Sequence, residues 1–176
     1  MNTPLSCCFS GYRPEKFGFE LSDKNAQYNN FSAKLYERIV DMTEAGVTSF
    51  YSGMAMGFDI LAAEAVLDVR KLRPELGLKL IACIPYIDQA SGFPPDWRER
   101  YDAVLEDCEK VVLLSDRYYR GCFQKRNQYM VDNSDFVITY YDGSPGGTRN
   151  TVKYAEKKGK GIINLYENFG EQLKLI

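Results

Sequence analysis

Short apolar runs alternate with helix-period patterns along the chain, and no hairpin turn signal joins any two of the runs. That alternation constrains the fold more than any other feature. Strands separated by helices pair in parallel, and a parallel sheet needs helices on both faces. Leu5–Ser10 reads as a first strand, ending at Gly11. Tyr28, Phe31, Leu35, Ile39 and Met42 then recur at helical spacing, with Gly46 as the stop. Val47–Ser52 is a second strand. Phe58, Leu61, Ala62, Ala65, Val69 and Leu72 form the next apolar stripe, ahead of Pro74. Leu78–Ile84 is a third strand, and residues 91–96 read as a loop. Trp97, Tyr101, Val104, Leu105 and Cys108 share a helix face, and Val111–Leu114 reads as a short buried strand. A helix over about 123–133, a strand at 136–141, a helix capped by Thr148 and ended by Gly159, and a strand at 162–166 complete the pattern. The expectation is a three-layer α/β fold with a mainly parallel sheet of about six strands. The 176 residues read as one domain, 1–176, with a short C-terminal extension.

Composition narrows the chemistry. There is no histidine, which removes His-based triads, His metal ligands and the usual general base near neutral pH. Lys and Arg number 22 against 24 Asp and Glu, so bulk attraction to nucleic acid or anionic lipid is weak. Cys7, Cys8, Cys83, Cys108 and Cys122 contain no C-x-x-C pair and read as small buried hydrophobes. On a strand, Cys7 and Cys8 face opposite ways. Neither a signal peptide nor a membrane span is visible, and a reducing cytoplasm is the expected compartment.

In parallel α/β sheets ligands sit beyond the carboxyl ends of the strands, near the point where strand order reverses. The segments following the strands are therefore the candidate site. Ser10-Gly11-Tyr12-Arg13-Pro14 follows the first strand; Gly11 permits close backbone approach and Arg13 offers a planar fork for phosphate. Ser52-Gly53-Met54-Ala55-Met56-Gly57-Phe58-Asp59 follows the second and opens into a helix, whose free amides suit an anion. Asp59 is placed to cap that helix or accept from ribose hydroxyls. Gly57→Glu is expected to abolish ligand binding and leave the fold intact, and Glu64 reads as a surface helix residue. Asp142-Gly143-Ser144-Pro145-Gly146-Gly147-Thr148 is a second glycine loop entering a helix. Residues 117–127 interleave basic and aromatic side chains, a pattern that suits stacking and phosphate contact. Neither G-x-G-x-x-G nor a P-loop motif occurs.

Three of these segments together resemble the SLOG superfamily, a Rossmann-like group, and most closely its YpsA family. They are Ser52–Asp59 with Ala62-Ala63-Glu64-Ala65, Arg126–Asp135, and Gly146–Ala155; the opening Phe9–Pro14 is similar too. DprA/Smf and LOG proteins are more distant relatives by this resemblance. It implies a nucleotide-type ligand held between the two glycine loops. It carries over Gly53, Gly57 and Asp59 for the first loop, the pair Arg126 and Asn127, and Gly146, Gly147 and Thr148 for the second. Ser52, Met54 and Gly143 complete the candidate set. LOG enzymes carry a catalytic Glu where this chain has Lys153, so the reading leans away from catalysis and toward a nucleotide or nucleotide-sugar sensor. The alternatives are a nucleotide-processing hydrolase and a DprA-like single-stranded DNA or protein-interaction module. Magnesium is expected only in company with ligand phosphates, and a homodimer only from the general frequency of symmetric dimers.

Overall fold

The computed structural model describes residues 3–166. Among them, six strands form one parallel sheet: β1 (Leu5–Gly11), β2 (Val47–Ser52), β3 (Lys79–Ile84), β4 (Lys110–Leu113), β5 (Phe136–Tyr140) and β6 (Gly161–Asn164). Five α-helices connect them: α1 (Ala26–Glu44), α2 (Phe58–Leu72), α3 (Pro95–Asp107), α4 (Cys122–Asp132) and α5 (Gly147–Lys157). The spatial order is β4-β3-β2-β1-β5-β6. This is the expected three-layer Rossmann-like α/β fold.

Side-chain alternation sorts the two faces. Cys7 and Phe9 of β1 point toward α1, α2 and α3, into a core that includes Leu35, Ile60, Val66 and Trp97. Cys8 points the other way, toward Met130 and Val131 of α4 and Ala155 of α5. The adjacent cysteines thus take opposite faces, as the two-residue period requires. The wholly buried Phe9, Phe50 and Phe58 each contribute about 2–3 kcal/mol of apolar burial.

Local signals explain the helix ends. Asn25 caps α1 by accepting from the backbone of Gln27 and Tyr28 at 2.9 and 3.1 Å. Phe31, Leu35, Ile39 and Met42 are its buried stripe. Helix α2 lies between α1 and α3 and buries a wider face, from Phe58 to Ala63 and on to Val69. Gly159 follows the last helical turn of α5 with φ +70°, the left-handed stop expected there.

Four expectations need correction. β4 is an edge strand and not a buried one; Val111 and Leu113 are 46% and 43% exposed, because no strand lies beyond it. Helix α3 begins at Pro95, inside the stretch read as loop, since proline is well accommodated in a first turn. Thr148 does not cap α5: the cap position is Gly146, with no side-chain hydrogen bond, and Thr148 lies within the helix. Glu64 is half-buried and bound to Arg100 of α3 through two hydrogen bonds of 2.7 and 2.6 Å. The C-terminal extension lies outside the described residues.

Candidate functional site

The strand order reverses between β1 and β5. From β1 the chain moves outward through β2, β3 and β4, then returns to place β5 and β6 on the other side of β1. A cleft of about 240 Å³ opens there, beyond the carboxyl ends of β1 and β5. Of the candidate residues, Gly11, Arg13, Asp59, Arg126, Asn127, Gly146, Gly147 and Thr148 line it. Ser10, Tyr12, Lys16, Ala55, Phe123, Tyr141, Ser144 and Pro145 complete the lining.

Ser52, Gly53, Met54 and Gly57 are not brought to this surface. Ser52 is wholly buried; its hydroxyl donates to the Asp59 carbonyl at 2.9 Å and accepts from the Met54 amide at 3.2 Å. That pin holds the turn in which buried Met54 takes a left-handed φ of 58°. Gly53 lies against the Arg126 guanidinium, and a Cβ there would approach Arg126 Cζ to 2.6 Å. Gly57 has φ +91°, and its Cβ would sit 2.4 Å from the Tyr12 carbonyl. That same carbonyl accepts from the Phe58 amide at 2.9 Å, so the first amide of α2 is taken by protein. Gly11 faces the Phe58 ring, where a Cβ would lie 2.5 Å away. Gly11 and Gly57 seat the first-strand loop on the second loop, and Gly53 makes room for Arg126. Substituting Gly57 therefore breaks backbone packing, contrary to the expectation of an intact fold.

The glycine loop after β5 behaves differently. A Cβ on Gly143, Gly146 or Gly147 would meet no protein atom within 4 Å. The first amides of a helix have no intrahelical acceptor; α5 has no side-chain cap, and its first residues, Gly147 and Thr148, line the cleft. Asp142 folds the loop by accepting from the Ser144 amide at 2.9 Å. Its own amide donates to the Tyr12 hydroxyl at 2.7 Å, tying the loop to the segment after β1. Hydrogen bonds from Ser144 and Tyr12 hold the Asp142 carboxyl at about 2. Gly143 stands in this loop but does not line the cleft.

Arg126 is the cleft's floor. It is only 2% exposed. Its Nη1 donates to the carbonyls of Gly53 and, at 3.4 Å, Cys83, and its Nε donates to Asn127 Oδ1 at 2.8 Å. Gln89 Nε2 donates to the same Gly53 carbonyl at 3.0 Å. Asp59 is 6% exposed and accepts weakly from the Ala55 amide at 3.4 Å. Burial pushes its carboxyl up, while Arg126 and Arg13 pull it down. Burial also lowers Arg126, against the field of Asp59. The guanidiniums of Arg13 and Arg126 lie 5.9 and 5.7 Å from the centre of the Phe123 ring. The charged lining of the cleft is thus Arg13, Lys16 and Arg126 against Asp59. Cys83 is buried and its thiol pushed up to about 12, so it is no ready nucleophile.

Lys16 and Phe123 lie outside the candidate set read from the sequence. Lys16 reaches the cleft because Pro14 starts a single 3₁₀ turn, Pro14–Lys16, that folds the chain back after β1. The Pro14-Glu15-Lys16 sequence is its only signal. Phe123 lies within the basic–aromatic segment, and with Tyr86 and Tyr118 it forms a cluster with ring centres 5.5–6.4 Å apart.

Residues 7–166 match the sequence model of YpsA, described as the YspA SLOG family. The protein belongs to that family. Its relatives include the UPF0398 protein of Bacillus thuringiensis (strain Al Hakam), 28% identical over 163 residues, covering 91% of this chain and 86% of the relative. A UPF0398 protein of Bacillus cereus (strain ATCC 14579) is 27% identical with the same coverage. Among solved structures, DNA processing protein A from Streptococcus pneumoniae shares the fold with a TM-score of 0.62 at 19% identity, covering 98% of this chain and 54% of that one. The chain thus spans about half the length of the pneumococcal protein. The Helicobacter pylori protein of the same name, whose structure concerns its single-stranded DNA binding mode, gives 0.64 at 19% identity over 98% of this chain and 73% of that one. Among the described residues of this YpsA-family chain, no helix is long and apolar enough to cross a membrane.

Proposed function

We propose that the cleft binds a nucleotide or nucleotide derivative by its phosphate, and that the protein acts as a ligand-responsive module. One observation carries this reading: three cationic side chains and a single carboxylate surround the uncapped N-terminus of α5 at the point where strand order reverses. In this reading a phosphate sits at the N-terminus of α5, in the cleft that Arg13 and Lys16 also line. Buried Arg126 adds field, and its Nε and Nη1 donors serve Asn127, Gly53 and Cys83. Asp59 is the acceptor for ligand hydroxyls, and Phe123 offers a flat apolar face. The ligand therefore meets the open glycine loop after β5 and Ala55 of the loop after β2, whose glycines act as support.

A thermal-shift panel tests this: AMP, ADP, ATP, their guanine counterparts, NAD and ADP-ribose, with and without magnesium. A ligand at a hundred times its dissociation constant stabilises by about 2.7 kcal/mol, a rise of a few degrees. No shift with any of them contradicts the reading.

A second reading is a surface for single-stranded nucleic acid. Tyr118 is 60% exposed beside Tyr86 and Phe123, in a segment carrying Arg117, Arg120 and Lys125. The Helicobacter pylori neighbour, a binder of single-stranded DNA, is consistent with it. Salt-dependent retention of a single-stranded oligonucleotide, reduced by Tyr118→Ala, is its expected result; no retention at low salt removes it.

A further inference from the structure

A groove of about 580 Å³ runs between α4 and α5 and meets the cleft at a shared wall of Phe123, Asn127 and Gly147. Nothing in the phosphate reading uses it. A Cβ on Gly147 would touch no protein atom, so no side chain stands between the two spaces at that residue. The carboxamides of Gln124, Gln128 and Asn150 line the groove, and such groups pair with the donor–acceptor edges of heterocycles. Beyond them Lys153 and Lys157 stand one helical turn apart on α5. Like charges at that spacing repel, and an anion between them relieves the repulsion. The far wall is fixed: the Tyr154 hydroxyl donates to Asp132 at 2.9 Å, and Lys158 lies 3.5 Å from the same carboxylate oxygen.

We propose that the binding site extends into this groove and takes two linked nucleotide units, one phosphate in the cleft and the next against Lys153 and Lys157. The inference rests on the phosphate reading of the cleft. The shared chemistry is two phosphates bridged by a nucleoside, whether in a free dinucleotide or in a strand. Linking two modestly bound halves raises affinity without any new type of contact.

The test is calorimetric titration of the whole chain with AMP, with the 5′-phosphorylated dinucleotide pApA, and with a single-stranded adenylate 20-mer. These are repeated on Lys153→Ala/Lys157→Ala, whose side chains are exposed and whose loss should leave the melting temperature unchanged. The expected result is pApA binding about tenfold tighter than AMP, with the double variant losing that gain and keeping its AMP affinity. A 20-mer no tighter than pApA identifies a free dinucleotide, and a further large gain identifies a strand. If AMP binds but pApA gains nothing, or if the double variant keeps the gain, the groove proposal is overturned and the cleft reading stands. If neither AMP nor pApA binds, both fall.

Discussion

The guanidinium of Arg126 occupies the space that a side chain at position 53 would need: a Cβ on Gly53 would lie 2.6 Å from Arg126 Cζ and 2.7 Å from its Nη1. Arg126 also donates to the Gly53 carbonyl, so the two residues are complementary in shape and in hydrogen bonding. Gly53→Ala should push a buried, bonded side chain aside and cost about 1–3 kcal/mol. Chemical denaturation checks this; an unchanged midpoint would show that the guanidinium can move freely.

Gly57→Ala should be worse. Its clash is with backbone, the Tyr12 carbonyl at 2.4 Å, and its φ of +91° disfavours any Cβ. The expected loss is about 3 kcal/mol or more, seen as a lower melting temperature or failure to fold. A stable Gly57→Ala protein would contradict the account of the loop after β2 as structural support.

Much of this is legible in the sequence and some is not. Strands β2 and β5 follow directly from apolar runs, and the Ser52–Asp59 and Gly146–Ala155 segments point to the family. Of the stripe read for α2, Phe58, Leu61, Ala62 and Val69 are buried, whereas Leu72 at the helix end is 67% exposed and Ile60, Ala63 and Val66 join the buried face. The role of the glycines is harder to read. A glycine that admits a ligand and a glycine that admits another loop look alike in sequence, and only the positions of Arg126, Tyr12 and Phe58 separate them. The exposed face of β4 is hidden for a related reason. Val111, Val112 and Leu113 read as buried, and edge position depends on strand order, which periodicity does not encode.

The Asp142 carboxyl, held at about 2 by Ser144 and Tyr12, stabilises the glycine loop after β5 only while ionised. Its folded value lies below the ordinary 3.8, so the contribution is present above the ordinary range and is lost as pH falls toward 2. Wild type should melt higher than Asp142→Asn at neutral pH, and the difference should close between about pH 4 and 2. A difference that is constant with pH would contradict this.

Asp59 should behave in the opposite sense. Its carboxyl is raised because burial outweighs Arg126 and Arg13. The ionised form is therefore disfavoured by folding, and the wild type should gain stability relative to Asp59→Asn as pH falls through the Asp59 titration. At neutral pH the same variant removes the one carboxylate facing the cleft. It should bind inorganic phosphate more tightly and discriminate less in favour of nucleosides, which calorimetry with phosphate and with AMP would show.

The half-buried Glu64–Arg100 pair, with Arg100 also 4.6 Å from the Trp97 ring centre, joins α2 to α3. Bidentate geometry raises its worth above an ordinary surface pair, and solvent access limits it. Glu64→Gln should cost about 1 kcal/mol. Salt titration of the melting temperature would separate the ionic share from packing.

A nucleotide phosphate is proposed to bind in the cleft between β1 and β5. Calorimetric titration of AMP into wild type and into Arg13→Ala/Lys16→Ala tests it most directly. Both side chains stand at the cleft; Arg13 faces the Phe123 ring, and its charge favours ionised Asp59 while opposing Arg126, so its loss has opposed effects and both proteins should melt at about the same temperature. The account predicts one saturable site in the wild type and an affinity about tenfold or more weaker in the double variant. Equal affinity in the two proteins, or no binding to the wild type, would contradict it.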